Sequence, residues 1–130
     1  MITQYSMKSF SLAFIKNQKE NAPVIGDFLD AFYAAPIESG QAMIEESPVL
    51  CAGEIENGKI MEAFLAATGE YLSWRFGLRT PSWTASPDRI LSEPWFADNN
   101  VKLKKLLAKE SPASFRRRNL FVSHNVLSRA

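Results

Sequence analysis

Cysteine is nearly absent from this 130-residue chain, with Cys51 standing alone. A single thiol excludes an intrachain disulfide and any paired-cysteine metal motif, and it fits a reducing, cytoplasmic setting. Histidine is equally scarce, and His124 is the only one. Cys51 therefore has only that distant imidazole to activate it, so a low-pKa nucleophile cannot be argued, and its role stays open. The neighbouring carboxylates Glu45 and Glu46, and the connector acids Glu54 and Glu56, have no histidine close by. Neither spacing implies a metal centre. No glycine-rich phosphate loop occurs, so no cofactor is expected. No apolar run approaches ~18 residues, which argues against a membrane span. The N-terminal stretch MITQYSMKSFSLAFIKNQKEN lacks an early basic cluster and a small-residue cleavage site, so it is not read as a signal peptide.

What is present is ordinary globular material: 46% hydrophobic and 22% charged, enough for one core over residues 1–130. The net charge is +1, but it is unevenly spread. Residues 1–70 carry four basic and ten acidic side chains; residues 71–130 carry eleven basic and four acidic ones. Either the halves cover each other, or one charged face meets a partner of opposite sign.

The periodicity is helical. Met7, Phe10, Phe14 and Ile15 make a stripe over residues 6–19. Asn21 and Pro23 suit the start of a second helix carrying Val24, Ile25, Phe28, Leu29 and Phe32, ended by Ala-Ala-Pro at 34–36. A short helix is predicted over 38–46, with Met43 and Ile44 inward. A central one is predicted over 58–76, with Ile60, Met61, Phe64, Leu65, Thr68, Leu72 and Phe76 on the core face and Glu62, Glu70, Ser73 and Arg75 off it. Gly77 is placed to end it in a left-handed conformation. Residues 78–100 hold three prolines and two tryptophans and read as an irregular arm, its tryptophans pinning it to the core. Within it, Ser86-Pro87-Asp88 starts a short helix. Asn99 or Asn100 caps a helix with Lys102, Lys104, Lys105 and Lys109 outward, and Ser111-Pro112 begins the closing segment. No convincing alternating strand is found. The expected fold is all-α, a single small bundle with a Trp/Pro-rich arm.

Arg116, Arg117 and Arg118 are the clearest candidates for recognition. Successive helical residues lie about 100° apart, so at most two of them can face one partner. Arginine's planar fork suits carboxylate or phosphate, and Lys105 and Lys109 extend the basic surface. Nucleic acid is an alternative ligand, as for a DNA-binding regulator, although no glycine-aromatic RNA motif or readable helix-turn-helix is evident.

Two resemblances add expectations. The string RNLFVSH, Arg118 to His124, resembles the motif of HEPN-domain ribonucleases, which implies an alternative catalytic pair. The imidazole would move a proton from a ribose hydroxyl and the guanidinium would stabilise the phosphate. That site requires residues 113–124 to be helical. More extensively, FLAATGEYLSWRFGLRTPSWTASPDRILSEPWF and ESPASFRRRNLFVSHNVLSRA resemble a family of small bacterial helical proteins, whose genes often neighbour those of nucleotidyltransferase-like proteins in toxin–antitoxin arrangements. The resemblance covers residues 64–130. It brings no catalytic residues and implies a protein partner. The expectation is therefore an antitoxin-like or accessory interaction module rather than an enzyme, with Arg116, Arg117, Arg118, Lys105 and Lys109 at the contact. Of the two ways to meet such a partner, the cleaner is that the acidic N-terminal half sits in the partner's basic groove, imitating a phosphate backbone.

Overall fold

A computed structural model describes residues 6–16, 25–48, 50 and 58–128. Cys51, Glu54, Glu56, Asn21, Pro23 and Val24 lie outside the described residues, so the expectations attached to them do too. The fold is all-α with an irregular arm. Helix α1 (Met7–Lys16) is followed by α2 (Ile25–Ala34), a 3-10 turn (Ile37–Ser39), α3 (Gly40–Glu45), α4 (Gly58–Arg75) and two further 3-10 turns (Ser82–Ala85, Pro87–Arg89). Then come β1 (Trp95–Phe96), α5 (Val101–Glu110), α6 (Ala113–Arg116) and β2 (Leu120–Phe121).

Local chemistry explains the ends. Ser6 and Ser9 cap α1 reciprocally: each backbone N–H donates to the other's hydroxyl, at 2.9 and 3.0 Å. Gly77 sits at φ +66°, and the Leu78 N–H donates back to the Ser73 carbonyl at 2.8 Å, which closes α4 as expected. Ser86 accepts from the Asp88 N–H at 3.3 Å with Pro87 in the first turn. Asn100, not Asn99, caps α5, its Oδ1 accepting from Lys102 and Leu103 N–H. Ser111 does not cap α6. Its buried hydroxyl accepts from the Val122 N–H at 2.8 Å and reaches the Leu107 carbonyl at 2.6 Å, tying the end of α5 to the chain beyond β2.

One core cluster draws Met7 and Phe10 from α1, Phe28 and Leu29 from α2, Met43 and Ile44 from α3, Leu65 and Leu72 from α4, and Phe115, Leu120 and Leu127 from the closing segment. The expected single apolar face on α4 is too narrow. Glu62 and Ser73 are buried as well as Leu65, Thr68 and Leu72, whereas Ile60, Met61 and Phe64 are only partly covered. The reason is the arm, which covers a second side of α4. Ala63, Ala66, Ala67 and Gly69 keep that side small enough for close approach. Trp83 lies against Gly69 and donates its indole N–H to the Ile44 carbonyl at 2.9 Å, so it does anchor the arm.

Two features correct the expectation of no strands. β1 and β2 pair in parallel, Trp95 opposite Leu120 and Phe96 opposite Phe121, with the two phenyl rings stacked at 4.8 Å. Two residues per strand are too few for an alternating pattern to register.

A Cβ at residue 69 would stand 3.2 Å from the Trp83 ring and 3.3 Å from the Thr84 methyl. Trp83 is held by its hydrogen bond and by the Arg89 guanidinium 5.0 Å over its ring, so it cannot yield. Gly69→Ala is therefore expected to lower the melting temperature, even though alanine favours the helix by about 1 kcal/mol. A melt unchanged or raised by this substitution would refute the close seating of the arm on α4.

Candidate protein-binding surface

The three arginines follow α6 into three different environments. Arg118 points inward, its side chain 5% exposed. Nη1 donates to Glu70 Oε1 at 2.8 Å and to the Ser114 carbonyl at 2.7 Å, while Nη2 donates to the Thr84 carbonyl at 2.6 Å. It thus joins α6, α4 and the arm in the interior. Arg117 shares Glu70 Oε1 at 2.6 Å and lies over the Trp74 ring at 4.7 Å, yet its side chain stays 55% exposed. Arg116 is exposed and makes no ion pair among the described residues. The helix-based expectation of a step of about 100° does not apply beyond Arg116, because α6 ends there and Arg117 and Arg118 lie on the turn that follows.

Helix α5 stands out from the core, with Leu107 its only buried side chain. At about 100° per residue, Lys102, Lys105 and Lys109 fall within an arc of about 60°. Leu106 borders that stripe and Leu103 follows it, the two being 50% and 43% exposed. Lys104 lies elsewhere, its ammonium 5.3 Å over the Phe96 ring. None of the three stripe lysines makes an ion pair among the described residues.

Much of the acidic half is used internally. Glu70 binds Arg117 and Arg118, Glu45 pairs with Arg79, Glu46 with Lys8 at 3.1 Å, and buried Glu62 approaches Lys59 at 3.9 Å. Glu45 with Arg79, and Glu70 with Arg117 and Arg118, join the two halves of the chain, while the α5 stripe lysines and Arg116 make no ion pair among the described residues. A phosphate-mimicking acidic face finds correspondingly less material.

His124 lies on an exposed turn after β2. The helix that a ribonuclease pair would need ends at Arg116, because Asn119 turns the chain at φ +63° and donates its side-chain amide to the Leu91 carbonyl at 2.7 Å. Arg118 and His124 are thereby placed in different environments, one buried and one in solvent. His124 instead accompanies Glu110: its backbone N–H donates to Oε1 at 3.3 Å and its ring Nδ1 lies 3.6 Å away. Partial burial pushes the Glu110 carboxyl up, but hydrogen bonds from His124 and Ser123 outweigh it and hold the group below its ordinary value.

Sequence reasoning missed Arg89, a guanidinium 2% exposed. Its Nη2 donates to the Pro48 carbonyl at 2.5 Å and the Ser47 hydroxyl at 3.2 Å. No local pattern announces this, since an arginine one residue after Pro-Asp reads as surface; only the tertiary position of the arm buries it. Among the described residues no group of three metal-ligating side chains occurs, and no helix is long and apolar enough to cross a membrane. Comparison with family models, with curated proteins and with solved structures finds no match to this chain.

Arg118→Ala is expected to destabilise by about 3 kcal/mol, because it strands the Thr84 and Ser114 carbonyls and half of the Glu70 pairing. Arg116→Ala should shift the urea midpoint by no more than about 0.5 kcal/mol. Equal effects would contradict the assignment of one arginine to the interior and one to the surface. For Glu110 the folded-state pKa is depressed, so its contribution is present above the unfolded pKa and disappears as pH falls through the folded one. Melting curves of wild type and Glu110→Gln should accordingly differ at neutral pH and converge only as pH falls below the ordinary carboxylate range.

Proposed function

We propose that this chain is a protein-binding module, the antitoxin-like or accessory subunit of a bacterial toxin–antitoxin pair whose other member is a nucleotidyltransferase-like protein. It acts in the cytoplasm as one helical domain. The observation that carries the proposal is the composition of α5: three lysines without internal partners on one stripe, bordered by two half-exposed leucines. A stable monomer has no need to hold leucine and unpaired lysine side by side on a protruding helix. An interface with an acidic partner uses both, the leucines by excluding water and the lysines by steering the encounter. The resemblance of residues 64–130 to small proteins encoded beside nucleotidyltransferase-like genes supports the choice of partner.

A nucleotidyltransferase site gathers carboxylates to hold its metal ions. Lys102, Lys105 and Lys109 are spaced to meet such a cluster along one helix face, and Arg116 adds a charge nearby in sequence. Occupation of that cluster by ammonium groups competes with metal ions and blocks the groove sterically, so inhibition needs no reactive group on this chain. Arg117 joins the contact with its exposed half, and Arg118 supports it from below.

The test is co-expression with the encoded neighbour and purification through a tag on one of the two. Wild type should bring the second protein down at moderate salt and lose it progressively as salt rises, because exposed charges are screened over about 10 Å at 0.1 M. The triple reversal Lys102→Glu, Lys105→Glu, Lys109→Glu should abolish recovery while leaving the melting temperature almost unchanged. Recovery of the partner with the triple variant at wild-type yield would overturn the assignment of α5.

A further inference from the structure

Trp74 is the most exposed aromatic side chain among the described residues, with 51% of its surface in water. An indole left this open forgoes a few kcal/mol of burial, so its place on the surface calls for a cause. It does not stand alone. Glu70 and Trp74 are four residues apart on α4 and therefore share a face. Across that face lies Arg117, its guanidinium 4.7 Å from the indole centroid and its Nη2 on the Glu70 carboxylate. Two contacts of different kinds fix the orientation of a side chain that ordinarily samples many rotamers.

We propose that the Trp74–Arg117 pair is the energetic anchor of the partner interface, built to receive a carboxylate-bearing, partly apolar segment of an acidic protein. This rests on the protein-binding function above and specifies the point of attachment. Three observations favour it. Glu70 supplies one negative charge against Arg117 and Arg118, so this cluster retains a cationic excess. Arg117 is already immobilised, so its rotamer entropy is lost before the partner arrives. The remaining N–H groups of its fork project from a 55% exposed side chain and can bind one more carboxylate. Tryptophan and arginine together are the residue types that dominate binding energy at protein interfaces, whereas lysines populate the rim. The patch and the α5 stripe thus divide the labour: the lysines raise the rate of encounter, and Trp74 with Arg117 slows departure.

Single-stranded nucleic acid fits less well. One indole face is already covered by the guanidinium, which leaves a single platform rather than a row of stacking surfaces. Glu70 also opposes a phosphate at the point where Arg117 is held.

The experiment uses the full chain and two probes by fluorescence anisotropy: a fluorescein-labelled peptide of alternating glutamate and leucine, and a labelled oligothymidylate of equal charge. The peptide should bind more tightly than the oligothymidylate. Trp74→Ala should weaken the peptide about tenfold. Arg117→Lys, which keeps the charge and loses the planar fork, should weaken it several-fold, with thermal melts confirming that both variants fold. Peptide binding absent in wild type, or insensitive to both substitutions, overturns the anchor, and so does tighter binding of the oligothymidylate that depends on Trp74. Its failure is distinguishable from that of the partner assignment. If the encoded neighbour co-purifies equally with wild type and Trp74→Ala but not with the α5 reversal, the interface stands and the anchor falls. If the neighbour is never recovered while the peptide binds in a Trp74-dependent way, the site stands and that partner falls.

Discussion

The guanidinium of Arg118 is the constraint around which α4, the arm and the closing segment are arranged. It reaches Glu70, 48 residues away in sequence, and at the same time the Thr84 and Ser114 carbonyls. A buried ion is tolerable when its charge is matched and most of its donors are paired, and here the two terminal nitrogens collect a carboxylate and two main-chain oxygens from three separate segments, while Nε makes no hydrogen bond. The geometry dictates what its neighbours can do. Arg117 must share the same carboxylate oxygen from outside, and Arg116 is turned away from it into solvent. Three residues of one chemical type thus perform a structural, an intermediate and a surface task within a single turn.

That division bears on function. Two faces of opposite charge were in principle available for recognition, one acidic and one basic. The pairing of Glu45, Glu62 and Glu70 with cations of the same chain draws down the acidic one. Among the described cations, the lysine stripe of α5 and Arg116 are left without such a partner. The basic surface is therefore the residue of an incomplete internal neutralisation, concentrated where the chain is least covered.

Much of the architecture could be read from local chemistry. The left-handed Gly77, the Ser86-Pro87 turn and the Asn100 cap are each determined by a few adjacent residues, and each occurs as the residues indicate. The site was legible only in part. Lys105, Lys109 and Arg116 are exposed, as their types suggest, but Arg118 and Arg89 are buried by a segment tens of residues away, which no window along the chain contains. The same non-local cover explains why α4 is buried beyond its apolar stripe. Trp74 escaped notice for the opposite reason. It sits off the α4 stripe, and only the position of Arg117 gives it a companion.

The arm is held in an unusual manner. Arg118 grasps the oxygen of Thr84, Asn119 that of Leu91, Arg89 that of Pro48, and Trp83 reaches out to that of Ile44. Every amino acid possesses such an oxygen. These four hydrogen bonds therefore ask nothing of the side chain at the grasped position, where Ile44 and Thr84 are constrained by packing instead, while the grasping side chains have no substitute. The attachment of the arm thus resides in a handful of long polar side chains rather than in the identity of the residues whose oxygens they hold.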